Sequence, residues 1–225
     1  MGNPFFWDCP NPPQLAYFTT DFAFTENPLA HGWICGGTVG LDWTNPAALD
    51  NGAIPGVAYG TQAGTGAFDD SIACRTGFSP NQTATGIIYK DPAFSTTSTR
   101  EVEILLRWAI SPHVARGYEC NIAYNAAYAE IVRWNGALND FTRLTTSGPG
   151  PSVPQTGDVF KAQIIGNVIS VFQNGTLIVT ATDTDGAGGG AVWTDGNPGI
   201  GFWRGGGAAF PGDYGFTNFT AQGLP

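Results

Sequence analysis

The chain has 225 residues, 42% of them hydrophobic and only 12% charged, with 32 glycines, 16 prolines and a net charge of −9. That glycine and proline content excludes a helical protein and suits one whose turns are frequent, while 15 Phe, 7 Trp and 7 Tyr supply enough core to exclude disorder. The acidity and the scatter of nine Lys and Arg exclude a nucleic-acid partner, whose phosphates demand a basic surface.

No run approaches the ~20 apolar residues of a membrane span, so membrane insertion is not expected. The start Met1-Gly2-Asn3-Pro4 is no signal peptide. It fits a removed leader, or a virion component released by lysis.

Residues 1–16, with Pro4, Pro10, Pro12 and Pro13, read as a proline-rich arm ahead of one domain spanning 17–225. A first strand is expected over Tyr17–Phe24, then loops and short strands through residue 66, then strands over Ser71–Arg75 and Ala84–Lys90. Glu101–Trp108 alternates cleanly. Period two puts Val102, Ile104, Leu106 and Trp108 on one face, and Glu101, Glu103, Leu105 and Arg107 on the other.

Strands over Tyr118–Tyr124 and Ala129–Trp134 follow, the second closing on the hairpin signal Asn135-Gly136; a helix over Asn125–Ile131 is the lesser reading. Val159–Ile165, Val168–Gln173 and Thr176–Thr182 are separated by Gly166-Asn167 and Asn174-Gly175, dipeptides that accept the positive φ of tight hairpins. Gly199–Arg204 and Tyr214–Ala221 complete the set. This is an all-β chain.

Cys9, Cys35, Cys74 and Cys120 have no C-x-x-C spacing, and His31 and His113 lie far apart, so no zinc site is expected. The extracellular character of the chain favours disulfides over buried thiols, and spacing does not choose among the three pairings.

The segments Gly157-Asp158-Val159-Phe160, Gln173-Asn174-Gly175-Thr176 and Gly196-Asn197-Pro198-Gly199-Ile200-Gly201-Phe202 resemble the concanavalin A-like lectin and glucanase superfamily. The likeness is nearest to laminin G-like modules of bacterial and phage surface proteins, and it extends over about residues 17–222. Asp21-Phe22 with Trp33 is similar to that group's first strand, and Phe216–Phe219 to its last, which would pair with the first. The resemblance implies a two-sheet antiparallel jelly-roll sandwich.

Glucanases of this superfamily carry Glu-x-Asp-x-Glu on one strand. Glu101 and Glu103 offer two carboxylates, but Leu105 stands where the third belongs and the central Asp is absent. The plain reading is two solvated glutamates beside Arg107, and no catalytic set is complete. Asp183-Thr184-Asp185-Gly186 is either an ordinary polar turn or half of a calcium loop, with calcium held by Asp183 and Asp185.

The loop Gly186–Gly199, with Trp193, Asp195 and Asn197, and the following Trp203 and Arg204 form the candidate ligand region, since sugars are held by an aromatic plate and polar groups. Trp193 could equally cap the core. Ile200 and Phe202 face inward by alternation, which turns Trp203 outward.

The expected function is a non-catalytic, lectin-like carbohydrate-binding or adhesion module on a cell or virion surface. The alternative is a self-assembling structural subunit, in which the partners are neighbouring copies rather than glycan. A polysaccharide hydrolase or lyase ranks third.

Overall fold

The computed structural model describes residues 15–37, 43–52, 56–62, 69–93, 99–124, 128–146, 152–184, 192–205 and 212–225. Most of the expected arm lies outside them, as do Cys9 and Asp185. Strands are numbered in chain order. Eight form one sheet, in the order β13 (Thr176–Thr182), β12 (Val168–Gln173), β11 (Val159–Ile165), β6 (Gln82–Lys90), β15 (Tyr214–Gly223), β4 (Val57–Tyr59) and β3 (Ala47–Leu49), with β1 (Tyr17–Thr20) also on β15. The other sheet runs β10 (Phe141–Thr146), β9 (Ala129–Gly136), β8 (Val114–Ala123), β7 (Thr99–Ser111), β14 (Asn197–Gly205), β5 (Ser71–Cys74) and β2 (Ile34–Cys35). No helix among the described residues is long and apolar enough to cross a membrane.

The meander β11–β12–β13 has the bounds its sequence announces, because Asn174 (φ 52°) and Gly175 (φ 79°) take the positive φ of a tight hairpin. The last strand does pair with the first, Thr20 opposite Phe219 and Tyr17 opposite Gln222. β1 nevertheless stops at Thr20, short of the expected Phe24. The Thr20 hydroxyl accepts the Phe22 N–H at 3.1 Å, Asp21 Oδ1 accepts that of Ala23, and Phe22 turns into the core at φ 53°.

A second difference concerns the β9–β10 hairpin. Asn135 and Gly136 remain in the strand, and the chain reverses at 137–140, where Asn139 has φ 67° and the Asn135 N–H reaches the Asp140 carbonyl.

The main core lies between the sheets: Val102, Ile104 and Leu106 of β7 and Cys120 and Ile122 of β8 meet Ile88, Ala162, Ile169 and Phe216 of the other sheet. Each of the Val, Leu, Ile and Phe side chains among them contributes about 1.5–3 kcal/mol on burial. A second, smaller cluster covers the outer face of the seven-stranded sheet, with Leu105, Trp108, Val132, Trp134, Ile72 and Trp43.

Trp108 thus faces outward, not inward with Val102 as strict alternation requires. A β-bulge between Leu106 and Ala109, with Arg107 at φ 49°, resets the alternation. The bulge is made possible by its neighbours. A Cβ on Gly117 would lie 2.8 Å from the Arg107 carbonyl oxygen, and one on Gly196 only 2.2 Å from it.

Arg107 is correspondingly buried. It does not stand beside the glutamates; its guanidinium donates to the carbonyls of Pro80, Trp193 and Gly166 at 2.7–2.8 Å.

Cys74 and Cys120 are buried free thiols, against the expectation of disulfides. Cys35 and Cys120 belong to the inter-sheet core and Cys74 to the outer cluster, so Cys35 and Cys74 present their side chains to opposite faces of one sheet.

Candidate functional site

β7 carries Glu101, Glu103 and Leu105 on the outer face of the seven-stranded sheet. Register on β8 sets Asn121 opposite Glu103 and Glu119 opposite Leu105. On β14 it sets Gly201 opposite Glu103 and Trp203 opposite Glu101. Asp70 joins them from the residue before β5, and Glu130 from β9 lies opposite Asn121. The third carboxylate missing at Leu105 is therefore supplied across the ladder, by Glu119.

These acids are not solvated as the sequence suggested. Glu101 is 7% exposed and Glu103 0%, because Trp203, Tyr128 and the outer aromatic cluster crowd the same face. One oxygen from each of Asp70, Glu103 and Glu119 lies within 4.8 Å of the others, and this trio could hold a metal ion. Gly201 leaves room for them: a Cβ there would stand 1.9 Å from Glu103 Oε2.

The acids differ in their partners. Glu119 accepts from Asn121 Nδ2 at 2.8 Å and from the Trp134 indole at 2.6 Å. Glu101 accepts from the Tyr128 hydroxyl. Glu103 has no hydrogen-bond partner on either oxygen among the described residues, and Asp70 has none on Oδ1.

Burial, reinforced by Glu119, pushes Glu101 up to about 8, although the Tyr128 hydrogen bond pulls downward. Burial and then the charges of Glu119, Asp70 and Glu101 hold Glu103 well above the usual carboxylate range. Asp70 is raised by burial, then by Glu119, Glu101 and Asp69. Glu119 is raised by burial while its two hydrogen bonds restrain it. Carboxyls in such a setting stay protonated near neutrality unless a cation compensates them.

Above these acids opens a cleft. Its rim carries the half-buried rings of Trp203 and Phe141, with Tyr128, Asn121 and a Glu130–Arg143 pair at 2.9 Å. Trp134 backs Phe141 at 5.2 Å between ring centroids and meets Trp43 at 5.5 Å, so the aromatic wall is packed from behind.

The five ligand residues expected from sequence do not converge. Trp203 faces the cleft, opposite in sense to Ile200 and Phe202, as alternation requires. Trp193 packs against the core, gives its indole N–H to the Trp134 carbonyl at 2.9 Å, and has the Arg116 guanidinium over its ring at 4.6 Å. Asp195 pairs with that same Arg116 at 2.9 Å. Asn197 Oδ1 accepts the Phe78 N–H, and Arg204 donates to the Gln62 carbonyl at the far side of Trp203.

Asp183, expected at a calcium loop, is fully buried between the sheets. Its Oδ1 accepts from Arg133 Nη1 at 2.6 Å and its Oδ2 from the Tyr118 hydroxyl at 2.8 Å. Its companion Asp185 lies outside the described residues.

No protein-family profile and no curated protein sequence matches the chain. Solved structures do. The carbohydrate binding module CBM66 from Bacillus subtilis superposes with a TM-score of 0.50 at 13% identity, over 85% of this chain and 92% of its own. The fold is a concanavalin A-like jelly roll. The CBM2 module of the evolved Dit of Lactobacillus casei BL23 phage J-1 shares this jelly roll with a TM-score of 0.51 at 10% identity, over 93% and 96% of the two chains. A GH43 protein of Bacillus licheniformis, BlXynB, gives 0.53 at 15% identity, with 96% of this chain on 41% of that one. At such identities the likeness establishes the jelly roll and leaves its use to the side chains.

Proposed function

We propose that this jelly roll is a non-catalytic carbohydrate-binding module at a cell or virion surface, and that it seats its glycan in the cleft on the outer face of the seven-stranded sheet. The observation that carries the reading is the pair of half-buried rings, Trp203 and Phe141, flanking one cleft whose rim supplies Tyr128, Glu130 and Arg143. Sugars present apolar C–H faces to aromatic plates and hydroxyls to such polar groups. Two structures of the same fold are named as carbohydrate-binding modules, which supports the choice.

Catalysis is disfavoured by the burial of the acids. A glycosidase needs an acid and a second carboxylate that reach the scissile bond. Here Glu103 is wholly enclosed, while Glu101 and Glu119, which do line the cleft, are each held by hydrogen bonds, Glu101 from Tyr128 and Glu119 from Trp134 and Asn121.

Affinity electrophoresis against a panel of soluble polysaccharides tests the reading. Trp203→Ala is expected to weaken retardation about tenfold, the loss of roughly 1.4 kcal/mol of stacking and burial. Retardation unchanged in both Trp203→Ala and Phe141→Ala would move the site elsewhere. Release of reducing ends that Glu101→Gln abolishes would replace binding with hydrolysis.

A second reading, a self-assembling subunit, has one observation in its favour. Val159, Ile165, Val168 and Leu177 are exposed on neighbouring strands β11–β13. Light scattering decides it: ordered oligomers broken by Ile165→Lys with no sugar binding would select assembly.

A further inference from the structure

We infer that Asp70, Glu103 and Glu119 together hold a divalent cation of the calcium class in the floor of the cleft. The site is distinct from the Asp183–Asp185 segment, and it stands whether or not the cleft binds sugar.

The first ground is geometric. Two oxygens that share a calcium ion, each 2.3–2.6 Å from it, are no more than about 5 Å apart. One oxygen from each of these three side chains falls within 4.8 Å of the other two. They come from β7, from β8 beside it, and from the residue that enters β5, which lies across β14 from β7.

The second ground is independent of the clustering. Glu103 is completely buried, yet neither of its oxygens has a hydrogen-bond partner among the described residues, and Asp70 Oδ1 is in the same condition. Buried carboxylates are ordinarily hydrogen-bonded, paired or bound to metal. The same chain does pair its other deeply buried acid, since Arg133 sits on Asp183. No ion pair reaches Asp70, Glu103 or Glu119 among the described residues, and the nearby Arg143 is held by Glu130.

The donor set selects the ion. All three ligands are hard carboxylate oxygens, with neither imidazole nor thiolate among them, which suits calcium and not zinc or copper. Magnesium is a poorer fit, because it keeps several waters and a strict octahedron, whereas calcium accepts irregular all-oxygen shells. Asp70 and Glu119 also line a cavity of about 90 Å³, several times the ~10–15 Å³ that one water requires. Waters there would complete the shell. The side-chain amide of Asn121, which donates to Glu119, would fix that carboxylate from outside the shell.

The consequence is mechanical. An ion on these three ligands ties β7 to β8 and to the start of β5 directly beneath Glu101 and Trp203, and so holds the cleft floor in one shape.

The experiment uses the full chain, treated with chelator and dialysed, then titrated with calcium chloride in a calorimeter and in thermal melts. The expected result is one calcium ion per chain and a melting temperature that rises with calcium concentration, as a ligand specific to the folded state requires. Glu103→Gln and Asp70→Asn, each confirmed folded by near-ultraviolet circular dichroism, are each expected to weaken calcium binding by more than about tenfold, since affinity follows ligand charge. If Glu103→Gln does not fold, Asp70→Asn and the wild-type stoichiometry carry the decision. Absence of both heat and melting shift at millimolar calcium overturns the inference. So does a calcium response that survives both substitutions, or one that Asp185→Asn abolishes instead.

Discussion

Between the sheets, Asp183 has each oxygen engaged, one by Arg133 at 2.6 Å and one by Tyr118 at 2.8 Å. On the outer face, Glu103 is just as deeply buried and has neither oxygen engaged by the described residues. The same scaffold thus carries one acid with its counter-charge built in and another whose counter-charge must come from a proton or an ion. The first belongs to the fold, locking β9 to the chain beyond β13. The second costs stability when ionised alone.

The largest effect expected from this contrast is on the inner pair. Arg133→Met leaves Asp183 buried without its cation and should cost about 3–5 kcal/mol in urea unfolding. A loss under about 1 kcal/mol would mean that water reaches Asp183 and that the two acids are not opposites.

The outer acids should show themselves through pH. In the presence of chelator, Glu101 titrates at about 8 in the fold against an ordinary 4.5. The folded chain therefore binds more protons than the unfolded one between those values. The contribution of Glu101 to stability is full below about 4.5, falls as pH rises towards 8, and is gone above it. The fall should be on the order of a few kcal/mol, and Glu101→Gln should reduce it while leaving the part due to Glu103, Asp70 and Glu119. Stability that rises over this window would show the acids ionised and compensated without added metal.

The smallest effect is expected at the rim. Arg116→Ala breaks a pair whose Asp195 is 69% exposed, and should cost less than about 1 kcal/mol with glycan binding unchanged. A tenfold loss of binding would instead return the site to the Trp193 loop.

The legible parts of the sequence were those set by neighbours along the chain. β11, β12 and β13 could be bounded from alternation and from Asn174-Gly175 alone, and Trp203 could be turned outward by counting from Ile200. β10 gave no such signal: Phe141–Thr146 is a short edge strand whose alternation is diluted by Thr and Arg. The bulge at Arg107 was equally hidden, because it depends on Gly117 arriving from β8 and on Gly196 from the residue before β14.

Glu101 and Glu103 were visible as a pair on one strand. That Glu119 and Asp70 meet them was not visible, since cross-strand register is set by the packing of the whole sheet.

By itself, then, the sequence determined the all-β class, the meander and the facing of Val102–Leu106 and of Ile200–Trp203, because those follow from a two-residue period and from turn residues that tolerate positive φ. Only the tertiary structure decided that the glutamates are buried, that Arg107 leaves them, and that Trp193 and Trp203 part company. Each of those outcomes depends on which strands lie side by side, and no local pattern encodes that.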